Sequence, residues 1–429
     1  MALHITARQI RLTAVIFVSL LAIWLIMGHF VWTNVNRHGN KIVVDYYFIA
    51  PMSTDNAINM FNIVSEVPND NVVYNPTWVS PFHLKLIIDE HNYPRGVQYS
   101  YTFKKAPALI PPFSVSKTGK FLTAVNPELV SLSPTKNAPT SGPIILNFNT
   151  PINEESIKEN VSCDVNGSLS PLKNDFTKWR FIPEKKLNYQ QSYNINIHPG
   201  LTSKYGKKSS DKQVVNFTTA PELKLVECYP KNFSRSIWLS RNVKLTFNQP
   251  IASATISGKS LGKVHIENNI VTYVPNRVFL PTSNYKLQTN VTSRFGEKYN
   301  YTLNFNTTNL GNNKWIEIKA GSPCSVWLMQ GKKQQQQVDG WFTKDIDKLP
   351  TVTMYETDRG WGTKSAETNE KLPWIKLNTD ILIHPTTHTG KDNHKSLGLP
   401  KSYSCILLPS AIVDELYYDY PKGIMVIVH

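Results

Sequence analysis

Cysteine is scarce in this chain. Cys163, Cys228, Cys324 and Cys405 are spread over 429 residues with no C-x-x-C pair among them. That spacing excludes a zinc ribbon and a disulfide-stapled small domain, and it does not choose among the possible pairings of four thiols. Acidic residues are also short: 31 Asp and Glu face 46 Lys and Arg, a formal charge of +15. The surplus favours anionic neighbours such as lipid headgroups or wall polymers. No nucleic-acid-binding module accompanies it, so nucleic acid is not an expected partner. Glycine is low at 20 residues, whereas aromatic side chains reach 11%, which leans toward β-structure. Between Thr33 and Leu310 no amphipathic helix of useful length is evident. With 41% hydrophobic residues the chain can bury real cores, and its length calls for three or four domains.

There is one long apolar run, LTAVIFVSLLAIWLIMGHFV, 20 residues from Leu12 to Val31. At 1.5 Å per residue it reaches about 30 Å, the depth of a bilayer core. Arg8 and Arg11 precede it and Trp32 follows. Basic residues on the short flank hold that flank in the cytoplasm. The expectation is a cytoplasmic tail at 1–11, a transmembrane signal-anchor at 12–32, and everything beyond it outside the cytoplasm. A cleaved signal peptide is the competing reading, disfavoured by the length of the run and the lack of a small-x-small site after it.

Two later segments repeat at an offset of 94 residues. One opens at Pro127-Glu128-Leu129 and the other at Pro221-Glu222-Leu223. Each continues with an alternating strand into proline, ILNFNTPI or VKLTFNQPI, then an aromatic strand, WRFIP or VTYVP, and a closing strand, VVNFTT or TLNFNT. The period-2 alternation marks strands with one buried face. Short strands separated by Pro, Asn, Ser and Gly point to a two-sheet sandwich of roughly 90 residues. The pattern resembles the bacterial Ig-like repeats of surface and wall-associated proteins, where such units space or present other domains. Ig-like domains are expected at 126–220 and 221–309. A degenerate third copy is expected at 33–125, where Phe48 and Pro51 stand in the places of Phe148 and Pro151. The polar turn NLGNNK at 309–314 ends the repeats.

From Trp315 to His429 the sequence resembles the L,D-transpeptidase family. The resemblance rests on ILIHPT (381–386), on SLGLPKSYSCILLPS (396–410), and on a closing helix and strand, Ala411 to Tyr418 and Ile424 to Val428. Seventeen residues separate His384 from Ser402-Tyr403-Ser404-Cys405, similar to the family's spacing of a histidine before Ser/Thr-His-Gly-Cys. Tyr403-Ser404 replaces the His-Gly, Leu407 replaces a polar residue after the cysteine, and the Gly of a Thr-Pro-x-Gly turn is missing near 348–360. The physical need for the pair is nucleophile activation, because a thiol of pKa about 8.5 is mostly protonated at neutral pH without a nearby base. The resemblance implies a β-rich catalytic domain at 312–429 in which Cys405 is the nucleophile and His384 the base. It implies that Ser402, Tyr403 and Ser404 line the oxyanion and substrate site, with backbone N–H groups near Tyr403, Ser404 and Cys405 forming the oxyanion hole. Peptidoglycan stem peptides are then the partner. No cofactor is implied.

Other motifs are weaker. His384-x-x-x-His388, with Asp392 and His394 nearby, has zinc-like spacing, but Pro385, Thr386 and Thr387 oppose the helix such a site needs, so no metal is expected. Asn-x-Ser/Thr triplets, as at Asn160 and Asn216, follow from an Asn- and Thr-rich composition. The whole reads as a mainly β, membrane-anchored chain carrying Ig-like sandwiches and a cysteine transpeptidase-like domain. The alternative is a catalytically impaired relative that acts as a peptidoglycan-binding scaffold.

Overall fold

The computed structural model describes residues 7–55, 60–68, 70–90, 94–110, 114–343, 351–364, 371–386, 398–402 and 404–429. The fold is mainly β, and the chain divides into two compact units, Met1–Pro221 and Glu222–His429.

The first unit opens with a helix, α1 (Ala7–Met27, 21 residues). The expected span does not form as drawn. The helix stops at Met27, and Val31 and Trp32 enter a strand, Val31–His38, in which Val31 is buried in the core of the first sandwich. His29, which follows the helix, bonds through Nδ1 to the Ser114 carbonyl at 2.7 Å. The uncharged part of α1, Leu12–Met27, is 16 residues, about 24 Å at 1.5 Å per residue. Among the described residues no helix is long and apolar enough to cross a membrane. Leu12, Val15, Phe17, Val18, Leu20 and Ile26 are nonetheless exposed.

Two sandwiches follow, built on one strand order. In the first, Val31–His38, Lys41–Phe48, His83–Asp89 and Tyr74–Ser80 pair in that order, facing a sheet of Phe61–Ser65, Gln98–Pro107 and Ser114–Leu122. In the second, Leu129–Ser133, Ile144–Phe148, Asp175–Pro183 and Gly167–Leu172 take the same order, facing Val161–Cys163, Ser192–Ile197 and Gln213–Thr218. The alternating sequence explains the packing. Trp179 and Phe181 stand opposite Leu146 and Ile144 and are buried with them, while Lys178 and Arg180 face outward. A short helix, α2 (Glu154–Asn160), interrupts the second sandwich after Pro151. Asn153 caps it by accepting from the N–H groups of Glu155 and Ser156, and Glu154 and Glu155 suit the positive end of the first turn.

The second unit begins with a third sandwich of the same order: Leu225–Tyr229, Val243–Phe247, Ile270–Pro275 and Gly262–Glu267. Its facing sheet gains Ser234–Ile237, which runs parallel to Lys298–Thr307. The remaining strands close a barrel of eight: β1 (Lys314–Lys319), β2 (Cys324–Gln330), β3 (Lys333–Phe342), β4 (Val352–Lys364), β5 (Lys371–Leu377), β6 (Ile381–Pro385), β7 (Ser404–Leu408) and β8 (Met425–Val428). Around the barrel they run β1-β2-β3-β7-β6-β5-β4-β8. Ile375, Ile383, Ile406 and Leu408 fill its interior together with Ile412, Val413 and Leu416 of a helix, α3 (Ser410–Tyr418). Arg359, paired with Glu356, holds that helix by donating to the carbonyls of Tyr420 at 3.2 Å and Leu416 at 3.3 Å.

The third sandwich is fixed to the barrel within this unit. Leu239 and Val278 pack on Trp315, Trp327, Met329 and Ile427. At the centre lies Glu317, whose side chain is wholly buried. It accepts from Arg277 Nη2 at 2.6 Å and from the Val278 N–H at 3.0 Å, and its Oε1 lies 3.0 Å from His429 Nε2. The Arg277 guanidinium also stacks on the Trp327 ring at 4.0 Å.

Candidate active site

The pair singled out in the sequence falls on neighbouring strands. β6 and β7 run parallel, with Leu382 opposite Cys405 and His384 opposite Leu407. Paired residues share a face and alternate residues return to it, so His384 and Cys405 occupy the same side of the sheet. Ile383 and Ile406 take the other side, in the barrel interior. The hydrophobic cluster of that interior includes Ile381 and Ile383 and leaves out Leu382, which fits this division.

Both candidate side chains are buried, each with 0% exposure. His384 Nδ1 lies 3.0 Å from the Pro385 carbonyl oxygen. Cys405 Sγ lies 3.5 Å from the Ser402 hydroxyl. Thr343, which follows the end of β3, meets Cys405 from the other flank. Its Oγ1 accepts the Cys405 N–H at 2.8 Å, and its own N–H donates to the Cys405 carbonyl at 3.1 Å. The Cys405 amide, expected among the oxyanion donors, is thereby engaged by a hydroxyl. Ser404 is buried, with Oγ 3.3 Å from Thr343 Oγ1. Tyr403, His388, Asp392 and His394 lie outside the described residues.

All four cysteines are free thiols. Cys324 is a packing residue. It is wholly buried in the barrel interior, and burial pushes its thiol up to about 11. Burial likewise raises the Cys163 thiol.

Sequence reasoning missed Thr343, which stands 62 residues before Cys405 and meets it only because β3 and β7 pair. No local motif announces it. It also missed two tryptophans on the same outer face. Trp341 of β3 is opposite Leu407. The β5–β6 register sets Ile375 against Ile383, and one residue further places Trp374 opposite His384. The outer face therefore carries one row of Trp374, His384, Leu407 and Trp341, beside a second row of Lys376, Leu382, Cys405 and Thr343.

Such an arrangement, a thiol and an imidazole at diagonal positions on one face of neighbouring strands, is that of a candidate cysteine-dependent acyl-transfer site. Residues 123–219 match the family model of the bacterial Ig-like domain. No curated protein matches the chain. Among solved structures, an L,D-transpeptidase from Mycobacterium smegmatis is 12% identical, covering 48% of this chain and 99% of its own, at a TM-score of 0.21. L,D-transpeptidase 3 from Mycobacterium tuberculosis is 14% identical, covering 48% and 98%, also at 0.21. The N-terminal part of a bacterial S-layer protein is 12% identical, covering 42% and 44%, at 0.22. At TM-scores this low the likenesses carry no weight for the chemistry.

Proposed function

We propose that residues 312–429 form a cysteine L,D-transpeptidase acting on peptidoglycan stem peptides. The observation that carries the reading is the shared face of His384 and Cys405 on adjacent parallel strands. His384 takes the thiol proton, and the thiolate adds to the carbonyl between the L-centre and the D-centre of a stem tetrapeptide. The tetrahedral adduct collapses to a thioester as the terminal D-amino acid leaves as an amine, protonated by the imidazolium. An acceptor amine then displaces the thiol, restoring Cys405 and forming the cross-link.

We infer further that α1 tethers the chain to a membrane, with the sandwiches and barrel on the outer side. The exposed apolar side chains of Leu12–Met27 and the preceding Arg8 and Arg11 support this. A segment somewhat short of the bilayer core is accommodated by local thinning and by flanking basic side chains reaching the interface. The basic surplus of the chain would add attraction to anionic lipids or wall polymers.

One observation favours the second reading, a non-catalytic scaffold that binds peptidoglycan. The Cys405 sulfur is shielded from solvent, and its amide is held by Thr343. The two readings part on one experiment. Purified full-length protein is incubated with a stem tetrapeptide and an amine acceptor, and its intact mass is recorded. The enzyme shows an acyl adduct on Cys405 and release of the terminal residue, both lost in Cys405→Ala, while His384→Ala slows adduct formation at least a hundredfold. Tetrapeptide binding by the wild-type protein with no adduct at any time establishes the scaffold.

A further inference from the structure

We propose that Trp374 and Trp341 are the two end walls of the donor-peptide cleft, and that together they set its length and direction. The proposal rests on the transpeptidase reading above and adds residues to it. Both tryptophans share the outer face with His384 and Leu407, in a single row crossing β5, β6, β7 and β3. Three strand spacings separate the ends of that row, about 14 Å at 4.8 Å each. A peptide in extended conformation covers that distance in about four residues.

The strand that carries the nucleophile, which sits in the adjacent row, then fixes the direction. Cys405 lies on β7, one strand from Trp341 and two strands from Trp374. A carbonyl placed over its sulfur leaves room for about three residues toward Trp374 and one toward Trp341. The acyl portion of the donor runs across β6 and β5 to Trp374, and the departing residue lies against Trp341.

Each wall has a physical basis. Trp341 is 45% exposed, so its ring is open to a ligand. Trp374 is seated by its neighbour. Gly360 stands opposite it on β4, and a Cβ there would come within 2.6 Å of the indole. Bare backbone at Gly360 is what lets the ring lie flat.

The test uses the full chain with synthetic tetrapeptides that differ in acyl length or in the terminal residue, with acylation of Cys405 followed by mass spectrometry. Trp374→Ala is expected to raise KM for the tetrapeptide at least tenfold and to abolish the preference for a three-residue acyl portion over a two-residue one. Trp374→Phe and Gly360→Ala, which keep a side chain or only shift the ring, should give smaller changes of the same kind. Trp341→Ala should leave acyl-length preference intact and reduce discrimination among terminal residues at least fivefold. Labelling of Cys405 by iodoacetamide should be the same in all variants, which separates a lost cleft wall from a collapsed site. If wild-type protein acylates while the tryptophan variants keep its KM and both selectivities, the cleft assignment is wrong and the transpeptidase reading stands. If wild-type protein takes no acyl group from any donor, the transpeptidase reading itself is wrong.

Discussion

At the scale of single residues, Glu317 carries the clearest electrostatic consequence. Burial alone would raise its carboxyl pKa, but hydrogen bonds from His429 and Arg277 and the adjacent guanidinium outweigh burial, so the net shift is downward. A carboxylate whose folded pKa lies below its unfolded value stabilises the fold above the unfolded value, about 4.3. That stabilisation is lost as pH falls through the folded one. Glu317→Gln should therefore cost roughly 2 kcal/mol at pH 7, below the ~3–5 kcal/mol of a fully buried ion pair, because Arg277 keeps 35% of its side chain in water. At pH 3 the gap between variant and wild type should narrow, since the wild-type carboxyl is then losing its charge. Urea unfolding at the two pH values reads this directly. A gap that is equal at both, or wider in acid, would show that the charge of Glu317 is not what holds the sandwich to the barrel.

At the scale of elements, the repeats share more than strand order. In each of the last two sandwiches the strand ending in Phe-Asn turns back on its own entry segment. Asn149 accepts the Glu128 N–H at 2.9 Å and donates to the Asn126 carbonyl at 2.9 Å. Asn248 does the same with Lys224 and Glu222, at 2.8 and 2.9 Å. Each asparagine thus pins the incoming chain beside the first strand. Asn149 is buried at 4% exposure and both of its bonds are partly buried, so Asn149→Ala should cost about 1.5 kcal/mol. Asn248 is exposed, and water replaces its bonds, so Asn248→Ala should cost under about 1 kcal/mol. Thermal unfolding of the two variants compares them; equal losses would refute the burial argument.

These clamps also show what the sequence made legible. LNF, WRFIP and their counterparts announce strands because one-sided burial imposes a period of two, and Phe148, Trp179, Phe247 and Tyr273 are buried as that period requires. The spacing of His384 and Cys405 named two residues that parallel pairing sets on one face. What stayed hidden depends on register between distant strands. Thr343, Trp341 and Trp374 reach the site only through pairings that no local pattern encodes, and a shift of one residue would put any of them inside the barrel. The end of α1 was hidden for a related reason. Hydropathy continues smoothly through Phe30 and Val31, but Val31 is taken by the core of the first sandwich, a tertiary demand that overrides the run.

At the scale of the whole molecule, the division at Pro221–Glu222 puts two sandwiches in one unit and the third in the other with the barrel. The repeats alone would have grouped three like with like. What separates the third is its junction, where Leu239 and Val278 share an apolar cluster with Trp315 and Trp327, and Glu317 and Arg277 lock across it. A chain of two compact units need not unfold in one step. Calorimetry on the full chain should show at least two transitions. Glu317→Gln should lower only the one belonging to Glu222–His429, and Asn149→Ala only the one belonging to Met1–Pro221. For sites in separate cooperative units the double variant should show both shifts at full size, with no coupling beyond about 0.5 kcal/mol. A single transition moved by either substitution would mean that the units unfold as one. The barrel's site would then share its stability with the sandwiches of Met1–Pro221 as well as with the third.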